Sequence, residues 1–264
     1  MFVVTLLHSF TLENGLNDMF FLGVQPYSLQ LFGMRMPYVM KNEGQFWRFV
    51  TPLFLNYGAT TIVINLILQT VLGFALESNL GSLRMMIFYF ICGIGGTLMG
   101  TVASPMYAAG PEPAVFGLAA GLLGWFAFYW DNLETSNGCS FNQRLCAFLL
   151  LILVVVLIIF LLISQAAPYA TYAKDYKFQI PDTFAGFGGF LYGFTSILWL
   201  LPPEKPGRTS CQLYSKWIGI IANLALTVIL LFAFIRSSPE KYWIGDPTNE
   251  NDAFVKGLEL APQK

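Results

Sequence analysis

The chain has 264 residues, of which 56% are hydrophobic and 11% charged, with a mean hydropathy of +0.61; soluble domains carry roughly 25% charged residues, so lipid is the solvent for most of it. It has 14 basic and 15 acidic residues and a net charge of -1, and no block of Lys or Arg is long enough to track a phosphate backbone, which excludes nucleic acid as a partner. One histidine, His8, and four cysteines without C-x-x-C spacing (Cys92, Cys139, Cys146 and Cys211) supply no usual metal ligand set, and no metal or cofactor is expected.

Residues 1–12 are apolar but lack the basic region and small-residue cleavage site of a signal peptide. At about 1.5 Å per residue they cover about 18 Å, short of the roughly 30 Å hydrocarbon core, and a truncated or tilted first helix is expected. Residues 13–57 are too polar to span yet rich in aromatics and Met, with apolar clusters at Met19 to Leu22 and Leu29 to Met40. Such a composition suits short helices half-sunk at the interface. Six long apolar segments follow, Ala59 to Leu76, Met85 to Ala103, Ala114 to Trp130, Leu145 to Ser164, Phe184 to Leu201 and Trp217 to Ile235. Each, at roughly 17 to 20 residues, is long enough to cross the bilayer. Residues 58–236 therefore read as a transmembrane core and residues 237–264 as a polar tail. Arg84, Arg144, Lys205, Arg208 and Lys216 fall on the face with the shorter loops, which favours that face as cytoplasmic or matrix-side. Cys139 and Cys211 are expected there together, as reduced thiols.

The six long segments contain no Asp, Glu, Lys, Arg or His; their notable polar residues are Asn65, Gln69 and Asn223. Ion-coupled transporters need an ionisable relay near the midplane, which leaves transport of neutral solutes as the form of that activity compatible with the sequence. Glycines recur at helix-packing intervals: Gly93, Gly96 and Gly100; Gly117, Gly121 and Gly124; Gly186, Gly189 and Gly193. In lipid such residues let helix backbones approach closely.

The run from Gly44 to Leu55, with its Trp47-Arg48 pair, then Gly58, Asn65, Gly73, Glu77, Gly81 and Arg84, and finally Gly189-Phe-Leu-Tyr-Gly193, together resemble the rhomboid family of intramembrane serine proteases. The resemblance implies an all-α membrane protein, a rhomboid-like bundle of six to seven transmembrane helices with an interfacial loop between the first two. The arrangement of six spans plus one is similar to the eukaryotic secretase-type branch. The family's nucleophile is a Ser in a GxSG turn before the fourth span and its base a His in the sixth. Here the turn reads Gly110-Pro-Glu-Pro113, with Glu112 at the nucleophile position, and Ala185-Gly186 puts Gly186 at the base position. Asn56 and Thr61 stand where the second span carries histidines, and Asn65 keeps the oxyanion position.

A hydroxyl needs a neighbouring base to become a nucleophile, so the resemblance implies a catalytically inactive member. Inactive rhomboids and derlins imply a role in binding or scaffolding other transmembrane proteins, as in an accessory subunit of a larger membrane complex. The compartment implied is the mitochondrial inner membrane or the secretory pathway. A neutral-solute channel and a protease with unconventional catalysis are the alternatives. Trp47 and Arg48 are expected in the interfacial loop, Gly189 and Gly193 against the fourth span through Gly117 or Gly121, and Glu112 as a solvent-facing or partner-facing carboxylate in a loop fixed by Pro111 and Pro113.

Overall fold

In the computed structural model the described residues are 1–11, 22–128, 182–201 and 209–239, with scattered positions between 141 and 156. Eight α-helices run through them: α1 (Phe2–Phe10), α2 (Pro26–Leu31), α3 (Pro37–Asn42), α4 (Ala59–Leu80), α5 (Ser82–Ala103), α6 (Glu112–Phe128), α7 (Thr183–Leu200) and α8 (Thr209–Arg236). Two 3₁₀ turns, Phe46–Phe49 and Thr51–Phe54, lead into α4. Of these, α4, α5, α7 and the Tyr214–Arg236 part of α8 are long and apolar enough to cross a membrane, and α6 is a shorter apolar helix. The architecture is an all-helical membrane bundle. The expected Leu145–Ser164 span and the end of the polar tail lie largely outside the described residues, as does the expectation for Cys139 and Cys211.

The segment before α4 is more than a surface loop. Proline at the first position starts α2 and α3, where its missing N–H costs nothing. Between them they bury Val24, Leu29, Met34, Met36 and Val39 with Leu55, Tyr57, Tyr107 and Ala109 as a separate apolar cluster. The first helix rests on this cluster: His8 Nδ1 lies 2.9 Å from Ser28 Oγ, and Ser9 Oγ accepts from Gln25 N at 2.9 Å.

Helices α4 and α5 are joined by a single residue, Gly81, at φ +80°. That conformation is open to glycine and strained for other residues. Glu77 accepts a hydrogen bond from Ser82 Oγ across this corner, and Arg84 is exposed beside it. Both ends of the corner therefore carry polar groups, while the helices leading away from it are apolar.

Helix α7 occupies the middle of the bundle, packed on α5, α6 and α8. The glycines set how near its neighbours come. A methyl on Gly96 would meet Ala185 O at 2.5 Å and Gly189 N at 2.7 Å, and one on Gly193 would land on the Gly117 carbonyl. Gly189 itself faces the Pro113 carbonyl. The sixth-span glycines thus meet the fourth span, at Gly117 for Gly193 and one turn earlier for Gly189. The contact with α8 is polar instead: Thr195 Oγ1 donates to Asn223 Oδ1 at 2.9 Å, Asn223 Nδ2 to Ser196 Oγ at 3.0 Å, and Tyr192 OH and Thr227 Oγ1 share a bond of 2.8 Å. Asn223, one of the few polar residues in the spans, is satisfied between helices.

Substituting Gly189→Ala should lower stability by about 1–3 kcal/mol, because the atom that the methyl meets is backbone and cannot swing aside. Gly73→Ala, whose methyl would find Met85 Cε at 3.5 Å, should leave stability unchanged or raise it by up to about 1 kcal/mol through helix propensity. Equilibrium unfolding of both variants in detergent is the check.

Candidate functional site

The Trp47-Arg48 pair divides its labour by burial. Trp47 is 57% exposed, at the outer surface of the first 3₁₀ turn, where an indole suits the headgroup region. Arg48 points inward: Nη1 donates to the carbonyls of Gln30 at 3.0 Å and Met34 at 2.9 Å, and Nε donates to Gln45 Oε1 at 2.7 Å. Burial lowers its pKa, and nearby Glu43 pulls it back up. Arg48 therefore fixes the chain that leads from α2 to α3, tying the Gln30 carbonyl at the end of α2 to the Met34 carbonyl in the connection.

The turn before α6 hangs from the same segment. Gly110 N donates to Pro52 O at 3.0 Å, and Ala109 N donates to the Tyr57 hydroxyl. Burial raises the Tyr57 pKa, with Glu112 and Asp182 adding to the shift. Gly110 has φ +139°, and a methyl there would land on the Glu112 carboxylate. Glycine is required both for the backbone angle and for the space.

Glu112 departs from the sequence expectation. It is the first residue of α6 and only 4% exposed, where a solvent-facing or partner-facing loop carboxylate was expected. The physical reason is helix initiation: Pro111 and Pro113 do not hold an extended loop, because Pro113 sits in the first turn of the helix, where its ring is tolerated. The carboxylate of Glu112 is also favourably placed at a helix N-terminus. The Asn65 amide lies against this carboxylate and donates to Asn56 Oδ1 at 3.0 Å. Glu112 Oε2 and Asn65 Oδ1 are buried without a hydrogen-bond partner. Thr61 is occupied locally: its hydroxyl donates to Gly58 O at 2.8 Å and accepts from Gly58 N at 3.1 Å at the start of α4.

Gly186 lies near the start of α7, its N–H donating to Asp182 O at 2.8 Å. A side chain there would run into the Phe116 ring, whose nearest atoms are 2.9 and 3.0 Å from the Cβ position. The structure thus brings the starts of α6 and α7 together. A cavity of about 10 Å³ between them is lined by Glu112, Pro113, Asp182, Arg35 and Thr97 among others.

Arg35 and Asp182 are the residues that the sequence did not single out for this place. Arg35 is 1% exposed, and its Nη2 reaches Asp182 Oδ2 at 2.9 Å and Met106 O at 3.2 Å. Its backbone pairs with Ala108 through N–H···O distances of 2.8 and 3.3 Å. Asp182 also caps α7, its Oδ1 accepting from Ala185 N at 3.0 Å. Burial raises the Asp182 pKa and Arg35 opposes the shift. An arginine in an aromatic-rich loop and an aspartate before a distant helix carry no mutual sequence signal; the cue available was Asp182 as a helix N-cap.

A rhomboid domain model matches residues 43–203, from the Trp47-Arg48 segment to the end of α7. The chain is similar to rhomboid-like protease 2 of Toxoplasma gondii, 24% identical over 239 residues that cover 89% of this chain and 76% of that protein. It is similar to rhomboid protease GluP of Bacillus subtilis (strain 168), 35% identical over 81 residues, 31% of this chain and 16% of that protein. To RHOMBOID-like protein 6, mitochondrial, of Arabidopsis thaliana it is 26% identical over 187 residues, 70% of this chain and 54% of that protein.

Removing one partner of a buried ion pair leaves a charge without compensation. Arg35→Met should therefore cost about 3–5 kcal/mol, and the double variant Arg35→Met/Asp182→Leu should cost less than Arg35→Met alone. Unfolding in mixed detergent micelles measures both.

Proposed function

The chain belongs to the rhomboid family, and we propose that it is a non-catalytic member that binds or scaffolds other transmembrane proteins. The observation that carries this reading is the pair of residues at the two positions where the family motif carries its nucleophile and base. Glu112 presents a buried carboxylate beside Asn65, and Gly186 presents no side chain beneath the Phe116 ring. An acyl transfer by a serine mechanism needs a hydroxyl with a base in hydrogen-bond reach, and neither group is supplied. The one histidine of the chain, His8, contacts Ser28, Tyr27 and Phe32 in the first-loop cluster, so its ring is committed elsewhere.

A role in holding other membrane proteins is supported by the outer face of α8, where Trp217, Ile221, Leu224, Val228, Phe232 and Ile235 are exposed. Apolar area of that kind packs against lipid or against another transmembrane helix with little difference in hydrophobic driving force. Shape and small polar contacts then select the partner. Accessory membership of a larger membrane complex is the form of this role we favour, in the mitochondrial inner membrane or a secretory-pathway membrane.

Purified protein should neither cleave a fluorogenic transmembrane substrate nor react with a serine-directed activity probe above a heat-killed control. Glu112→Ser alone should remain inactive, because position 186 still lacks a base and loss of one dyad member costs orders of magnitude in rate. Adding Gly186→His should not restore activity either unless Phe116 is also reduced. Cleavage by the wild-type chain would overturn the reading.

A further inference from the structure

Glu112 is a buried acid for which the fold supplies no counter-charge. It is 4% exposed, and among the described residues it forms no ion pair. Arg35 is engaged elsewhere: its Nη2 reaches Asp182 Oδ2 at 2.9 Å and Met106 O at 3.2 Å, and its Nη1 lies against Gly100 of α5. The charge that acts on Glu112 is that of Asp182, which has the same sign. Tyr57 before α4 and Tyr89 of α5 also feel Glu112, and neither phenol carries a positive charge in any state. Met1 lines the larger cleft that Asn65 borders, a cleft that Glu112 does not line. Two buried carboxylates therefore share one guanidinium. A carboxylate taken out of water without a partner neutralises instead.

The hydrogen-bond inventory points the same way. The Asn65 amide lies against the Glu112 side chain, and its Nδ2 is spent on Asn56 Oδ1 at 3.0 Å. What remains to that amide is Oδ1, an acceptor. Glu112 Oε2 and Asn65 Oδ1 are both buried and both without a partner. An ionised carboxylate leaves two acceptors without a donor, whereas a carboxylic acid carries one O–H, and that single proton satisfies both atoms. Two arrangements compete with this one. A water in the cavity of about 10 Å³, the lower limit for one molecule, would join the unpaired Nε of Arg35 to an ionised Glu112 and leave Asn65 Oδ1 unpaired. Reversal of both amides would offer Asn65 Nδ2 to the anion. Neither contains a carboxylic acid.

We propose that the start of α6 is a proton-binding site, in which Glu112 stays a neutral carboxylic acid at neutral pH and donates its O–H to Asn65 Oδ1. The site stands apart from the non-catalytic reading above, which concerns the lack of a hydroxyl and a base.

The test uses the full chain in nanodiscs, with the glutamate carboxyl carbons isotopically labelled so that Asp182 is silent. Infrared spectra at neutral pH should show a carboxylic-acid C=O band. Glu112→Gln should abolish it, and Asn65→Leu should move it to the position of an acid whose O–H has no acceptor. Stability gives a second readout. An ordinary glutamate titrates at about 4.3, so as pH rises the unfolded chain releases this proton before the folded one. The stability that Glu112 contributes is full below that value and is lost as pH climbs through the folded-state value. The unfolding constant of the wild type relative to Glu112→Gln should therefore rise with pH above about 4.3, by up to about tenfold per unit. Glu112→Gln keeps the shape and a donor, and it decides the question with the wild type should Asn65→Leu fail to fold. An acid band absent from the wild type, a band that survives Glu112→Gln, a band unmoved in Asn65→Leu, or a ratio of unfolding constants independent of pH would each overturn the proposal.

Discussion

The architecture depends on how closely α5, α6 and α7 approach one another. Between apolar helices in lipid there is no water to expel, and association rests on van der Waals contact and on hydrogen bonds. Removing side chains at Gly96, Gly117, Gly189 and Gly193 brings backbone against backbone. The approach also fixes the depth of the site, because Pro113, one residue after Glu112, is the group that Gly189 meets. The position of the Glu112 carboxylate is thereby set by helix packing rather than by the loop that precedes it.

A second constraint is electrostatic. The Arg35–Asp182 pair ties the first-loop cluster to the start of α7, and the Arg35 backbone holds the segment around Ala108 that leads into α6. Three parts of the chain that are remote in sequence converge on one guanidinium. Arginine suits this work because its planar head can serve the carboxylate and the Met106 carbonyl together. A buried pair is not by itself a source of stability; here it defines which surfaces may come together, and the Tyr57 and Pro52 contacts then seat the turn before α6.

The parts of the fold that were legible in the sequence are those with a one-dimensional signature. Hydropathy located α4, α5, α6, α7 and α8, and the glycine intervals identified the α6–α7 contact, because both properties survive without knowledge of distant residues. Trp47 and Arg48 were legible as a motif in the segment before the first long span, although the depth of the cluster that Arg48 supports was not: Val24, Met34 and Met36 are buried by residues from beyond α5, including Tyr107. Glu112 was misplaced because prolines on both sides suggest an extended loop, whereas one of them opens a helix. Arg35 and Asp182 were missed for a plainer reason. Each is an ordinary loop residue until the bundle puts the two within 2.9 Å.

The single-residue corner at Gly81 bears on how the protein enters the bilayer. With one residue between Leu80 and Ser82, α4 and α5 have no connecting segment that one helix can leave behind while the other inserts. They form a helical hairpin, which returns the end of α5 to the end of the bundle where α4 began, with Tyr57 before the hairpin meeting Ala109 after it. The first-loop cluster needs Tyr107 and Ala109 from beyond the hairpin, so its closure is a later event that can occur only after α5 has crossed.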